Sequence, residues 1–171
     1  MVVLAGELET GARVLMFNDR DPGMPGSSWW VLPGGGIDGE ESPREAARRE
    51  LAEESGYAVA DEDLHGPVAV RVALHGYSDQ VTAQSEEIFV VRLEEEFEVD
   101  TSGHTEFERL SVQGHAWRRV GEESGDLVWP ADLAHLLAIT REPQAWPIDL
   151  GTVEESVVPV ALGYRGPDQV G

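Results

Sequence analysis

The segment PGGGIDGEESPREAARRELAEESGY, from Pro33 to Tyr57, decides how the rest of the chain is read. Its second half carries both ends of a helix. Ser42-Pro43-Arg44-Glu45 is a capping box with proline at the first helical position. Ala46, Ala47, Leu51 and Ala52 supply small apolar contacts, and Gly56 is placed to close the helix as its C′ residue. The pattern predicts a helix from about Pro43 to Ser55. The run Gly34-Gly35-Gly36 in the first half disfavours both helix and regular strand.

On that helix Glu50, Glu53 and Glu54 are related by steps of three and four, so their side chains share one face. Like charges at this spacing repel by about 0.2–0.5 kcal/mol per pair. Glu53 and Glu54 also lie near the helix C-terminus, where the macrodipole disfavours anions. Either plain solvation, helped by pairing of Glu45 with Arg49, or a bound cation offsets this cost. Hard divalent ions such as Mg²⁺ prefer oxygen ligands. The glycines just upstream let backbone approach a phosphate or metal closely, although a tight turn alone would also explain them. No Gly-Lys-Ser/Thr follows, so this is not a Walker loop.

Outward from this core, Val2–Ala5, Arg13–Phe17 and Trp29–Leu32 read as short strands, the last after a Gly-, Pro- and Ser-rich loop. Val68, Val70, Val72 and Leu74 alternate as in a half-buried strand. Glu87–Leu93 and Ala116–Val120 are two further strands, and Pro130–Thr140 has helical spacing. Strands alternating with two helices indicate an α/β fold with a mixed sheet. The expected organisation is a domain over residues 1–142 and a C-terminal extension over 143–171, packed on the domain or partly mobile.

The spaced pattern Gly35-x5-Glu41-x7-Arg49-Glu50-Leu51-x-Glu53-Glu54-x-Gly56-Tyr57 resembles a complete Nudix box, with every fixed position filled. The resemblance implies an α/β/α sandwich in which the box forms loop–helix–loop. It implies hydrolysis of nucleoside diphosphates linked to another group, with Mg²⁺ or Mn²⁺. By position, Glu50, Glu53 and Glu54 match the family's metal-binding acids, and the Gly34 carbonyl matches a backbone ligand. Glu53 and Glu54 are also candidates for the catalytic step. Gly35, Glu41, Arg49 and Gly56 match structural positions, with Glu41 and Arg49 a pair that orients the helix.

Pyrophosphate hydrolysis needs charge neutralisation on the phosphate and a positioned, activated water. A carboxylate outside the box can serve as the general base. Glu86, Glu87, Glu106 and Glu108 are the candidates, with Glu87 and Glu106 preferred. Strand alternation lets only one of Glu86 and Glu87 face the site. Arg20, Arg71 and Arg92 are candidate phosphate ligands, because arginine donates bidentate hydrogen bonds; Arg13 is a further one. Trp29, Trp30 and Tyr77 are candidates for stacking on a base, and His115 and Trp117 for packing.

Composition narrows the partners. Thirty-three acids face twelve bases, all arginine, for a formal net charge of −21. This argues against a polynucleotide partner and against docking on an anionic membrane; the partner that the resemblance implies is a small anionic nucleotide-like substrate. With no cysteine there are no disulfides and no thiolate chemistry. The prenyl diphosphate isomerases that share this motif need such a residue, so that reaction is disfavoured. No apolar run is long enough for a membrane span and no leader is evident, so a cytoplasmic location is the default expectation. A homodimer is possible through the apolar segment Val157–Leu162. Substrate signatures outside the box are missing: Ala73 stands where ADP-ribose-cleaving members often carry proline, and Tyr77 is displaced from the tyrosine of dinucleoside polyphosphate hydrolases. The competing reading is a catalytically inactive Nudix domain that binds a nucleotide as a sensor.

Overall fold

Strand β1 (Val2–Ala5) is apolar and buried at all four positions, which marks it as a strand covered on both faces. The computed structural model, which describes residues 1–8, 11–121 and 125–157, places it in the middle of a mixed sheet. Around it lie β2 (Arg13–Asp19), β3 (Trp29–Val31), β4 (Leu64–Gly76), β5 (Val81–Leu93), β6 (Gly114–Arg119), β7 (Val128–Trp129) and β8 (Ile148–Glu154). The order is β7-β3-β2-β1-β5-β4-β8, with β6 paired to β2. The pairs β1/β5, β3/β7 and β4/β8 are parallel, and the other pairs are antiparallel.

The two faces carry separate cores. Val3, Leu15, Phe17 and Val91 pack under helix α1 (Pro43–Ser55) through Ala47 and Leu51. Val2, Leu4, Val14, Met16, Val68 and Val90 pack under helix α3 (Leu133–Ile139) through Leu136, Leu137 and Ile139. Alternation along β1 and β2 sends successive side chains to opposite helices. The result is the expected α/β/α sandwich on a mixed sheet. No helix among the described residues is long and apolar enough to cross a membrane.

Several boundaries differ from the sequence expectation, each for a local reason. β4 begins at Leu64, four residues early, because an irregularity between His65 and Ala69 absorbs Gly66 and Pro67 within the strand. β5 begins at Val81, since its first half is mostly exposed and lacks apolar alternation. The second helix is shorter at its start: Asp132 is its N-cap and accepts from His135 N at 3.3 Å. Three elements are too short or too polar to show in a pattern: β7, the one-turn helix α2 (Glu108–Ser111) and β8. β8 lies in the segment beyond residue 142 and pairs along β4 from Ala69↔Ile148 to Leu74↔Glu154. Apart from Val157, the segment Val157–Leu162 lies outside the described residues.

Candidate active site

Helix α1 is set by its ends. Ser42 Oγ accepts from Glu45 N at 3.3 Å and Ser42 N donates to Glu45 Oε2 at 2.8 Å, closing the capping box. Gly56 takes φ 74°, the left-handed region that favours glycine, and donates to Ala52 O at 3.0 Å. Since Glu45 is spent on the cap, it is not the partner of Arg49. Arg49 instead donates to Glu41 Oε1 at 2.7 Å, Glu50 Oε1 at 2.9 Å, Glu53 Oε2 at 3.0 Å and the Gly36 carbonyl at 2.8 Å. One guanidinium thus ties the glycine loop to three of the segment's acids. The hydrogen bonds from Arg49 and from Asp38 N hold the Glu41 carboxyl below its usual range.

Glu54 turns the other way and accepts from Gly34 N at 2.9 Å. The loop itself is moored to β1, where the Met1 nitrogen donates to the Pro33 carbonyl. His104, buried against Phe17 at 5.9 Å between ring centroids, donates from Nε2 to the Glu54 carbonyl at 3.0 Å. Gly35 lies against the Glu50 carboxylate so closely that a side chain there would overlap it, with Oε2 at 2.8 Å from the added carbon. Glu50 is 8% exposed and cannot swing away into solvent. Gly35→Ala is therefore expected to lower stability by about 1–3 kcal/mol, the usual cost of overpacking, and to weaken divalent-metal binding with it. Urea unfolding and Mn²⁺ titration of the variant check this; wild-type values in both would contradict the contact.

Burial, only partly opposed by Arg49, raises the Glu50 carboxyl, and Glu53 and Glu108 add to the effect. Burial pushes Glu54 up to about 8, against the Gly34 N–H, with Glu50 and Glu108 adding further repulsion. The native protein therefore retains a proton that the unfolded chain releases near 4.5. Stability from this group is full below that value, falls as pH rises, and is lost once pH passes about 8. In EDTA, the melting-temperature difference between Glu54→Gln and wild type is expected to grow in the variant's favour from pH 5 to about pH 8. A difference that stays flat over that window would refute the assignment.

The donor chemistry fits a hard divalent cation: Glu50, Glu53, Glu54 and the Gly34 carbonyl all offer oxygen. Two of the carboxyls sit where burial penalises their charged form unless a cation joins them. Among the described residues, no three acidic or histidine side chains converge on one point. Glu53 is 46% exposed and held by Arg49, so it would have to leave Arg49 to act as a ligand beside Glu50 and Glu54.

Outside the box the structure places the four candidate acids differently from one another. Glu87 is exposed, whereas Glu86 faces inward, with Oε2 accepting from Arg71 Nε at 2.7 Å and Oε1 3.7 Å from His75 Nε2. Burial pushes the Glu86 carboxyl up, but His75 and Arg71 outweigh it and hold it below the usual range. Glu106 is exposed, while Glu108, half-buried at the start of α2, is the loop acid whose field reaches Glu50 and Glu54. Alternation and loop position could not rank these pairs, because the choice depends on strand phase and on where α2 docks.

The arginines are largely committed. Arg71 is bonded to Glu86 and Glu155, and Arg92 donates to the Thr140 carbonyl at 2.6 Å. Arg20 donates twice to the Leu110 carbonyl, at 3.0 and 2.8 Å, and so pins α2 to the end of β2. Arg13 pairs with Glu96 at the surface. Trp29 is buried against Trp129 at 4.6 Å and lies 6.3 Å from Tyr77. Trp30 carries Arg118 over its ring, and Trp117 donates to the Phe97 carbonyl at 3.2 Å. His75, His104 and Glu155 carried no sequence signal: each sits outside any motif and gains its place from contacts distant in the chain.

Comparison with known proteins bears on the family. Residues 1–123 match the NUDIX domain family model. Over 76 residues the chain is 41% identical to a protein of Mycobacterium tuberculosis (strain CDC 1551 / Oshkosh) named "Putative 8-oxo-dGTP diphosphatase 2", covering 44% of this chain and 52% of that one. The same figures hold for its counterpart in strain ATCC 25618 / H37Rv. The chain thus spans about half the length of the curated relatives it matches. Among solved structures, a C. elegans Ap4A hydrolase binary complex superposes with a TM-score of 0.51 at 18% identity, over 85% of this chain and 92% of that one. A MutT/nudix family protein from Enterococcus faecalis gives 0.45 at 21% identity, over 72% and 43% of the two chains. A filled box on a capped helix, mounted on this sandwich and matched over most of its length, has one reading: the chain belongs to the NUDIX domain family.

Proposed function

We propose that this protein hydrolyses a pyrophosphate bond in a nucleoside diphosphate linked to another group, in a Mg²⁺-dependent reaction. The observation that carries the reading is the pairing of Glu50 and Glu54, both half-buried or more on one helix face, with the side-chain-free approach at Gly34–Gly35. Glu50 and Glu54, with Glu53 and the Gly34 carbonyl, would hold the cation. Bound there, it would neutralise phosphate charge and lower the pKa of a coordinated water. Manganese would serve in its place.

Glu86 is the carboxylate we assign to positioning the attacking water, because Arg71 and His75 hold it on the inner face and keep it ionised. Glu108 adds negative field beside the box. Arg71 is engaged internally and Arg92 is bonded to the Thr140 carbonyl. Arg20, which is exposed, is therefore the arginine of the three that we assign to the substrate phosphates, provided that it leaves the Leu110 carbonyl. The catalytic unit is the domain over residues 1–142 together with the part of the C-terminal extension that packs on it as β8, acting on a small nucleotide in the cytoplasm. The named relative suggests an oxidised nucleoside triphosphate as the first compound to try. No observation favours the sensor alternative, whose expected mark is a decayed box.

The test is hydrolysis, with Mg²⁺ or Mn²⁺, of a panel holding 8-oxo-dGTP, the ordinary nucleoside triphosphates, nucleotide sugars, ADP-ribose and diadenosine polyphosphates. Products are identified by mass, beside a Glu54→Gln control. Metal-dependent cleavage that the control lacks supports the reading. Folded wild-type protein that turns over no compound, yet shifts its melting temperature with a nucleotide, would replace it with the sensor.

A further inference from the structure

Beyond residue 123, where the family match ends, β8 runs parallel to β4 and brings Glu155 to the inner face of the sheet. Glu155 is 3% exposed. Its carboxylate takes both terminal nitrogens of Arg71, Nη1 at 2.8 Å and Nη2 at 2.9 Å, and also Ala131 N at 2.8 Å. Its backbone is equally committed: N donates to Leu74 O at 2.9 Å, and the carbonyl accepts from His75 Nδ1 at 2.7 Å.

The consequence lies at Glu86. A guanidinium gripped at both terminal nitrogens by one carboxylate has its plane fixed, and the Nε–H that remains points to Glu86 Oε2 at 2.7 Å. An imidazole whose Nδ1–H is held by the Glu155 carbonyl presents Nε2 to Glu86 Oε1 at 3.7 Å, an attractive contact when that nitrogen carries its proton. Each oxygen of Glu86 thus faces a side chain that Glu155 orients, one through its carboxylate and the other through its backbone. The fields of Glu86, Arg71, Glu54 and Glu50 all reach the Met1 nitrogen, which is bonded to the Pro33 carbonyl at the start of the glycine loop. Glu86 and the box acids thus share the charged neighbourhood of that nitrogen.

We propose that Glu155 is a positioning residue for the reaction: its carboxylate sets Arg71, its carbonyl sets His75, and the two together hold Glu86 at the box. The proposal rests on the reading that Glu86 positions the attacking water. It makes the C-terminal strand, outside the matched family region, part of the site's apparatus.

The test is a double-mutant cycle of Glu155→Gln and Glu86→Gln, assayed with Mg²⁺ on the panel nucleotide cleaved fastest, below the melting temperature of every variant. Glu155→Gln keeps an oxygen for Ala131 N–H but loses the charged fork. It is expected to lower kcat about tenfold, in the range found for residues that orient a ligating or reacting group, with KM and Mn²⁺ affinity unchanged. Glu86→Gln is expected to cost about 10²–10⁴-fold, and the double variant no more than Glu86→Gln alone. His75→Ala, which leaves Glu155 in place, should likewise add nothing to Glu86→Gln. If the two losses multiply instead, Glu155 acts on the fold and the positioning role is overturned, while the role of Glu86 stands. If Glu86→Gln turns over at the wild-type rate, or the wild type turns over nothing, the reading of Glu86 fails and the positioning role falls with it.

Discussion

Glu54→Gln is expected to lose about 10³-fold in turnover while the protein remains folded. Two features of the structure separate these effects. The glutamine oxygen can still accept from Gly34 N, so the 2.9 Å contact between helix and loop survives. What is lost is the negative charge, and with it the capacity to bind a divalent cation and balance the charge developing on the phosphate. In the metal-free protein that charge is a burden, because burial penalises the ionised form and raises the carboxyl to about 8. The variant should therefore match or exceed the wild type in melting temperature without metal and gain less from added Mg²⁺. Activity, Mn²⁺ affinity and thermal melting measured on one preparation decide the matter. A variant that is inactive and also unfolded would show that Glu54 holds the fold, contrary to the role assigned to it.

Arg71→Ala is expected to be the most destabilising single change in the site. Its side chain is 6% exposed and that of its principal partner, Glu155, is 2% exposed. Removing the guanidinium strands Glu155 in the interior with no cation opposite it, and leaves the partly exposed Glu86 facing His75 alone. Breaking a buried pair from one side typically costs about 3–5 kcal/mol, which for a chain of this size corresponds to a fall of roughly 10 °C in melting temperature. The cost arises from the abandoned carboxylates rather than from the attraction itself, so Arg71→Ala combined with Glu155→Ala should recover part of the loss. Urea midpoints of the three proteins, with unchanged slopes, supply the comparison. A drop of under 1 kcal/mol in the single variant would mean that water reaches these carboxylates.

The helix and its acids were legible because their determinants are local. A capping box, a proline at the first turn and a closing glycine act within a few residues of one another, and α1 runs over the expected Pro43–Ser55. The apolar strands were legible for a similar reason, since burial on both faces writes a continuous apolar run. Where the pattern was polar, as in the first half of β5 and in β8, alternation had nothing to register. Those strands form because β4 offers an edge on each side.

The candidate site divides along the same line. Sequence by itself determined the family, the carboxylate helix and the glycine loop, since the box is a local motif and its i, i+3, i+4 geometry follows from the helix alone. Tertiary structure alone decided which acids outside the box turn inward. The phase of β5 against β4 put Glu86 rather than Glu87 opposite Arg71, and the docking of α2 put Glu108 rather than Glu106 beside the box. It also brought Glu155 to Arg71 across 84 residues of chain. A buried charge takes its partner from whatever surrounds it in space, and that neighbourhood exists only once the sheet has closed.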